Sequence, residues 1–180
     1  VLITQEILNT VRWDASVAGL KAGDKITYKD LLYASILPSG ADATNALAIS
    51  LNGNIKGFVD DMNILVEKLD MKDTHFINVT GLDAEGHYST ATDIVKLLKY
   101  SLQNPTFREI FTAKEYTLTN GLKVKTTIGT YRKNSKIDTS KIIGSKTGFT
   151  LGAGLCLASL INDEENEIIV ITLGAERIDG

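Results

Sequence analysis

The spacing of apolar residues changes character once along this chain, and that change constrains its fold more than any other feature. The spacing is helical up to residue 102 and that of strands from residue 115 onward. Phe58, Val59, Met62, Leu65, Val66 and Leu69 fall on one face of an amphipathic helix. Ala43, Ala46, Leu47 and Leu51 recur at helical spacing until Asn52-Gly53-Asn54 breaks the pattern. Leu31, Leu32, Ile36 and Leu37 form a short apolar face ahead of Pro38-Ser39-Gly40, and Ile94, Leu97, Leu98 and Leu102 make a further helix. Ser89, Thr90, Thr92 and Asp93 suit the start of that last helix, because their side chains accept from its free N–H groups. Downstream, segments 115–118 and 122–126 flank Thr119-Asn120-Gly121, where Asn-Gly signals a hairpin turn. Segments 142–150, 154–161 and 167–173 read as three more strands, the last two joined by the polar loop 162–166. A helical block followed by an antiparallel meander predicts an α+β architecture, with a helical lobe over about 30–112 and a sheet mainly over 113–175.

Composition narrows the function. A net charge of -3 argues against a nucleic-acid partner, since phosphate binding needs clustered Lys and Arg. Cys156 is the single cysteine, so no internal disulfide can form, and its apolar neighbours predict a packed thiol. No run approaches the ~18–20 apolar residues that cross a bilayer, and residues 1–10 lack a signal-peptide pattern. Both ends read as cuts inside a domain, and the sheet lacks an N-terminal partner strand.

Two segments carry candidate chemistry. In Leu37-Pro38-Ser39-Gly40-Ala41-Asp42-Ala43 a serine before a helix can hold its hydroxyl at a cleft edge; the plainer reading makes Ser39 or Asp42 a helix cap. In Gly144-Ser145-Lys146-Thr147-Gly148-Phe149-Thr150, followed by Gly152-Ala153-Gly154, a strand lysine supplies a fixed charge. The adjacent threonine can bond a carboxylate, and the glycine admits a ligand's backbone. A phosphate loop is excluded, because Ser145 and Ser140 stand where glycines are needed and a strand follows. His75 and His87 have the wrong spacing for a metal pair and read as loop residues.

Taken together, these segments resemble the serine D-alanyl-D-alanine carboxypeptidases, the low-molecular-mass penicillin-binding proteins. Leu20-Lys21-Ala22-Gly23-Asp24, with Thr27, Asp30 and Leu31-Leu32, is similar to the family's approach to its second motif. Gly81-Leu82-Asp83-Ala84-Glu85-Gly86-His87-Tyr88-Ser89-Thr90-Ala91 is similar to its loop before a helix. The resemblance implies a β-lactamase/transpeptidase-like fold, with residues 1–180 a partial penicillin-binding catalytic domain incomplete at both ends.

It also implies an exported, extracytoplasmic protein that trims peptidoglycan stem peptides ending in D-Ala-D-Ala and is acylated by β-lactam antibiotics. No cofactor or metal is needed, and membrane contact comes only through segments outside this chain. By this resemblance Ser39 relays a proton to the leaving amine, assisted by the charge of Lys146. Thr147 and Thr150 bind the terminal carboxylate, Gly148 lies on the strand that aligns substrate, and an oxyanion N–H comes from near Phe149 or Thr150. Arg177 is a weaker candidate for the carboxylate, with a plain surface role favoured.

Two departures stand out. Ala41 occupies a position usually held by asparagine, with Asp42 and Asn45 near enough to compensate, and no serine is followed by lysine three positions on. The nucleophile motif of the family is therefore absent from these residues, and the isolated chain is expected to be inactive and unstable. A β-lactamase, a transpeptidase and a non-catalytic wall-peptide-binding homologue remain open alternatives.

Overall fold

The computed structural model describes residues 1–129 and 138–176. Among the described residues these helices come first: α1 (Gln5–Asn9), α2 (Tyr28–Ile36), α3 (Ala41–Asn52), α4 (Ile55–Lys68), α5 (Ala91–Ser101) and α6 (Pro105–Thr112). Strands follow, among the described residues β1 (Glu115–Thr117), β2 (Lys123–Lys125), β3 (Ile142–Thr150), β4 (Gly154–Asp163) and β5 (Asn166–Ala175). The strands form an antiparallel ribbon, β1-β2, and an antiparallel sheet in the order β3-β4-β5.

Local chemistry sets the helix starts. Thr27 and Asp30 form a reciprocal capping box at α2. Asp30 is fully buried, and its Oδ2 also accepts from the Thr119 hydroxyl at 2.7 Å, tying the first turn of α2 to the β1–β2 turn. Thr90 accepts from the Asp93 N–H at the start of α5. The buried Asp93 carboxylate in turn accepts from the Asp73 N–H and the Thr74 hydroxyl, both at 2.9 Å. Helices α1 and α6 are absent from the sequence reading because five and eight residues give too few turns for a periodic signal. The mark of α6 is its Asn104 cap with Pro105 in the first turn.

Leu51 does not join the α3 core face. It is 58% exposed near the end of the helix, whereas Ala43, Ala46 and Leu47 are buried. The polar 162–166 loop is also shorter than its composition suggests. Strand pairing continues to Asp163↔Asn166, leaving a two-residue turn in which Glu164 has φ 54°.

Among the described residues, two apolar clusters hold the fold. The larger gathers Ile3, Ile26, Leu31, Leu37, Leu118 and Val124 with the inward faces of α2 and α3. The smaller joins Leu98, Phe111 and Leu160 beneath the sheet. Helix α6 links the two, because its adjacent Ile110 and Phe111 enter different clusters. A Cβ on Gly144 would lie 2.7 Å from Phe111 Cδ1, so glycine there lets β3 lie close against α6. That close approach carries the following residues of β3 toward the α2–α3 turn.

Candidate active site

Ser39 lies in the turn between α2 and α3 with φ 60°, a left-handed conformation that costs a non-glycine residue about 1 kcal/mol or more. Its surroundings enforce this. Gly40 donates its N–H to the Ala34 carbonyl at 3.0 Å, and a Cβ on Gly40 would sit 2.6 Å from that oxygen and 2.8 Å from Ala18 Cβ. Ala41 N–H donates to the Ser16 carbonyl at 2.8 Å. Neither Ser39 nor Asp42 caps α3. Gly40 is the N-cap, with no side-chain cap bond. Asp42 is instead buried, and its carboxylate accepts from the N–H groups of Ala18, Gly19 and Leu20 at 2.8–2.9 Å and of Ala43 at 3.0 Å.

Lys146 reaches this turn from β3. Its Nζ donates to Ser39 Oγ and, at 2.7 Å, to the Thr147 carbonyl. Burial disfavours the charged form and lowers the ammonium to about 8. Ser39, Ala41, Thr127, Lys146, Thr147 and Phe149 line one cleft of about 630 Å³. Gly148 shares that cleft; a Cβ there would make only an ordinary contact with Cys156, so interior packing does not require the glycine.

The remaining candidates divide. Phe149 is half exposed at the cleft. Thr147 Oγ1 lies 2.5 Å from Thr127 Oγ1, a partner with no signal in the sequence. The Thr150 hydroxyl donates to Asp83 Oδ1 at 2.6 Å and accepts from the Ala153 N–H at 3.0 Å. Asp83 also accepts from the Gly152 N–H at 3.1 Å, and the Thr150 bond above all holds its carboxyl below the usual range. Neither Asp42 nor Asn45 lines this cleft, so neither stands in for the asparagine expected at Ala41. Asp42 serves the 18–20 backbone, and Asn45 donates to Thr10 Oγ1 at 2.9 Å.

A second hollow, of about 990 Å³, is lined by Asp83, His87, Tyr88 and Cys156, and contains neither Ser39 nor Lys146. His75 and His87 serve their own loop, where His87 Nδ1 accepts from the Ile77 N–H and His75 Nδ1 lies 2.9 Å from the Gly86 carbonyl. Among the described residues no three His, Cys, Asp or Glu side chains gather to hold a metal. Cys156 is half-buried on β4, and Arg177 lies outside the described residues.

A serine, a lysine and a threonine pair converging on one cleft suit acyl transfer. A family model described as D-alanyl-D-alanine carboxypeptidase matches residues 2–177. The chain belongs to the D-alanyl-D-alanine carboxypeptidase family. It is 36% identical to D-alanyl-D-alanine carboxypeptidase DacD of Escherichia coli K12 over 174 residues, covering 96% of this chain and 43% of that protein. It is 34% identical to the D-alanyl-D-alanine carboxypeptidase of Streptomyces sp. strain K15 over 152 residues, covering 79% of this chain and 52% of that protein.

The chain thus spans about half the length of these carboxypeptidases. Among solved structures, an S-to-A mutant of Streptomyces K15 DD-transpeptidase superposes with a TM-score of 0.86 at 30% identity, covering 98% of this chain and 72% of that one. A D-alanyl-D-alanine carboxypeptidase from Mycobacterium tuberculosis H37Rv, at 24% identity and a TM-score of 0.82, shares the fold. The expected α+β, transpeptidase-like fold is therefore present, as a part of the full-length fold. Within the carboxypeptidase framework, Thr127 and Asp83 are the site neighbours that sequence reasoning did not single out, although Asp83 stands inside the recognised 81–91 loop.

Proposed function

We propose that the full-length protein is a serine D-Ala-D-Ala carboxypeptidase that trims peptidoglycan stem peptides, and that this chain supplies the proton-relay and substrate-binding side of its site. The supporting observation is the Lys146 Nζ to Ser39 Oγ contact across the cleft. In this reading a nucleophilic serine from outside these residues attacks the carbonyl between the two D-alanines. D-Alanine leaves, and water hydrolyses the acyl-enzyme. Ser39 passes a proton toward the leaving amine: it accepts from Lys146, so its own proton is free to be given. Lys146 adds positive potential beside that relay, Thr147 receives the substrate carboxylate, and the backbone near Phe149 completes the oxyanion hole. The substrate lies where the wall of a cell places it, so the protein works outside the cytoplasm. No helix among the described residues is long and apolar enough to cross a membrane.

Fluorescent penicillin tests this reading on the full-length protein. Covalent label on a serine outside residues 1–180, together with D-alanine release from a D-Ala-D-Ala peptide, is the expected result. Binding of the peptide with neither label nor release would support the non-catalytic homologue. Rapid turnover of the penicillin without D-alanine release would support a β-lactamase.

The titration of Lys146 gives a further expectation. Lysine is charged below its pKa, so with a value of about 8 its attraction for a substrate carboxylate is present at pH 7 and fades as pH rises through 8. KM for D-Ala-D-Ala peptides should therefore rise about tenfold between pH 7 and pH 9.5, the scale of one charge-assisted bond. In Lys146→Arg the guanidinium keeps its charge and this alkaline rise should disappear. An unchanged alkaline rise in that variant would assign the titration to another group.

A further inference from the structure

Two hydroxyls on β3 are placed to meet a substrate carboxylate, but their protons are not equally available. Thr150 already gives its proton to Asp83 Oδ1 at 2.6 Å and accepts the Ala153 N–H at 3.0 Å. An incoming carboxylate would have to take that proton from a carboxylate already in place. Asp83 is also hard to displace. Its second oxygen accepts the Gly152 N–H at 3.1 Å, and its backbone carbonyl accepts from Arg12 Nη1 at 3.0 Å. A Cβ on Gly152 would lie 3.0 Å from Asp83 Oδ1, so the turn after β3 is shaped around this carboxylate. A second anion beside Asp83 would meet like-charge repulsion.

Thr147 lines the same cleft as Thr150 but is differently bonded. Its Oγ1 shares one hydrogen bond with Thr127 Oγ1 at 2.5 Å, and Thr127 lines that cleft with Ser39 and Lys146. Two hydroxyls joined by one hydrogen bond use one of their two protons. Whichever is the donor, one proton has no partner among the described residues, and the mutual bond fixes where the pair points. Lys146, which donates to the Thr147 carbonyl, places positive charge beside it.

We infer that Thr127 is a specificity-determining positioning residue: the Thr127–Thr147 hydroxyl pair, and not Thr150, presents the proton that recognises the substrate's terminal carboxylate. This rests on the carboxypeptidase reading above. Thr127 lies just beyond β2, on the ribbon side of the cleft, so recognition spans two elements that do not share a sheet. Asp83 acts by withholding the Thr150 proton.

The test compares a D-Ala-D-Ala peptide with its C-terminal carboxamide in the full-length protein, reading the ratio of kcat/KM for acid over amide. Thr127→Val should lower that ratio about tenfold, mainly through KM for the acid, because a hydrogen bond to a charged group is lost. Thr127→Ser keeps the hydroxyl and should hold the ratio within about threefold of the original. Thr150→Val should lower the ratio less than Thr127→Val does. A purely structural role for Thr127 would reduce both substrates alike and leave the ratio unmoved, which overturns the inference, as does a larger loss at Thr150→Val. If the unaltered protein releases no D-alanine, the carboxypeptidase reading fails first and this inference falls with it. If the unaltered protein is active and the Thr127→Val ratio is unmoved, only the inference fails.

Discussion

Lys146→Ala in the full-length protein should lower kcat/KM for D-alanine release about 10³-fold, or about 4 kcal/mol of transition-state stabilisation, the scale seen when a preorganised charged donor is removed. The reason lies in its position. The ammonium is the donor to Ser39 Oγ and sits where burial has stripped much of its water, so its field acts on the cleft with little screening. Stability should move the other way. The folded-state value of about 8 lies below the 10.5 of an unfolded lysine, so the unfolded chain binds more protons between those values. Ionised Lys146 therefore opposes folding at pH 7, and this contribution is relieved as pH rises from 8 toward 10.5. Alanine removes the opposition, so the urea midpoint at pH 7 should stay level or rise while activity collapses. A midpoint that falls in step with activity would show that Lys146 holds the fold and not the chemistry.

The second large effect is expected at Asp42, two residues beyond the N-cap of α3. Asp42→Ala should destabilise the full-length protein by about 4 kcal/mol, since it strands several backbone N–H groups whose desolvation costs about 1–3 kcal/mol each. Asp42 is 2% exposed, and its two oxygens accept from Ala18, Gly19, Leu20 and Ala43. Water has little access to replace them. Asp42→Asn keeps the shape but loses the charge and one acceptor, so about half of the loss is expected. Denaturant unfolding provides the measurement. Because this carboxylate also holds the 18–20 loop against Gly40, kcat should fall further than stability alone accounts for. A change in midpoint worth less than about 1 kcal/mol would mean that the 18–20 backbone finds other partners.

Sequence and structure divide the candidate site unevenly. Ser39 and Lys146 were legible because their segments carry recognisable neighbours, and the fold brings them together across 107 residues. That Ala41 departs from the asparagine the resemblance leads one to expect was legible too. Its suggested substitutes were not, since an aspartate or asparagine one or four residues along a helix gives no sign of which way it faces. The structure turns Asp42 toward the 18–20 loop and Asn45 toward Thr10. Thr127 carried no local signal, because a threonine near the end of a short strand is common there and its partner lies 20 residues away.

The sequence by itself determined the order of elements, the Asn-Gly hairpin, the long helices and the family. Each of these depends on near neighbours along the chain: apolar spacing, cap residues, turn chemistry and short motifs. Only the tertiary structure decided which partners the hydroxyls take, that Asp83 occupies Thr150 while Thr127 pairs with Thr147, and that Lys146 is buried enough to fall to about 8. Those depend on contacts between distant segments, where a displacement of one or two ångströms makes or breaks a hydrogen bond, and no local pattern of residues encodes a distance that fine.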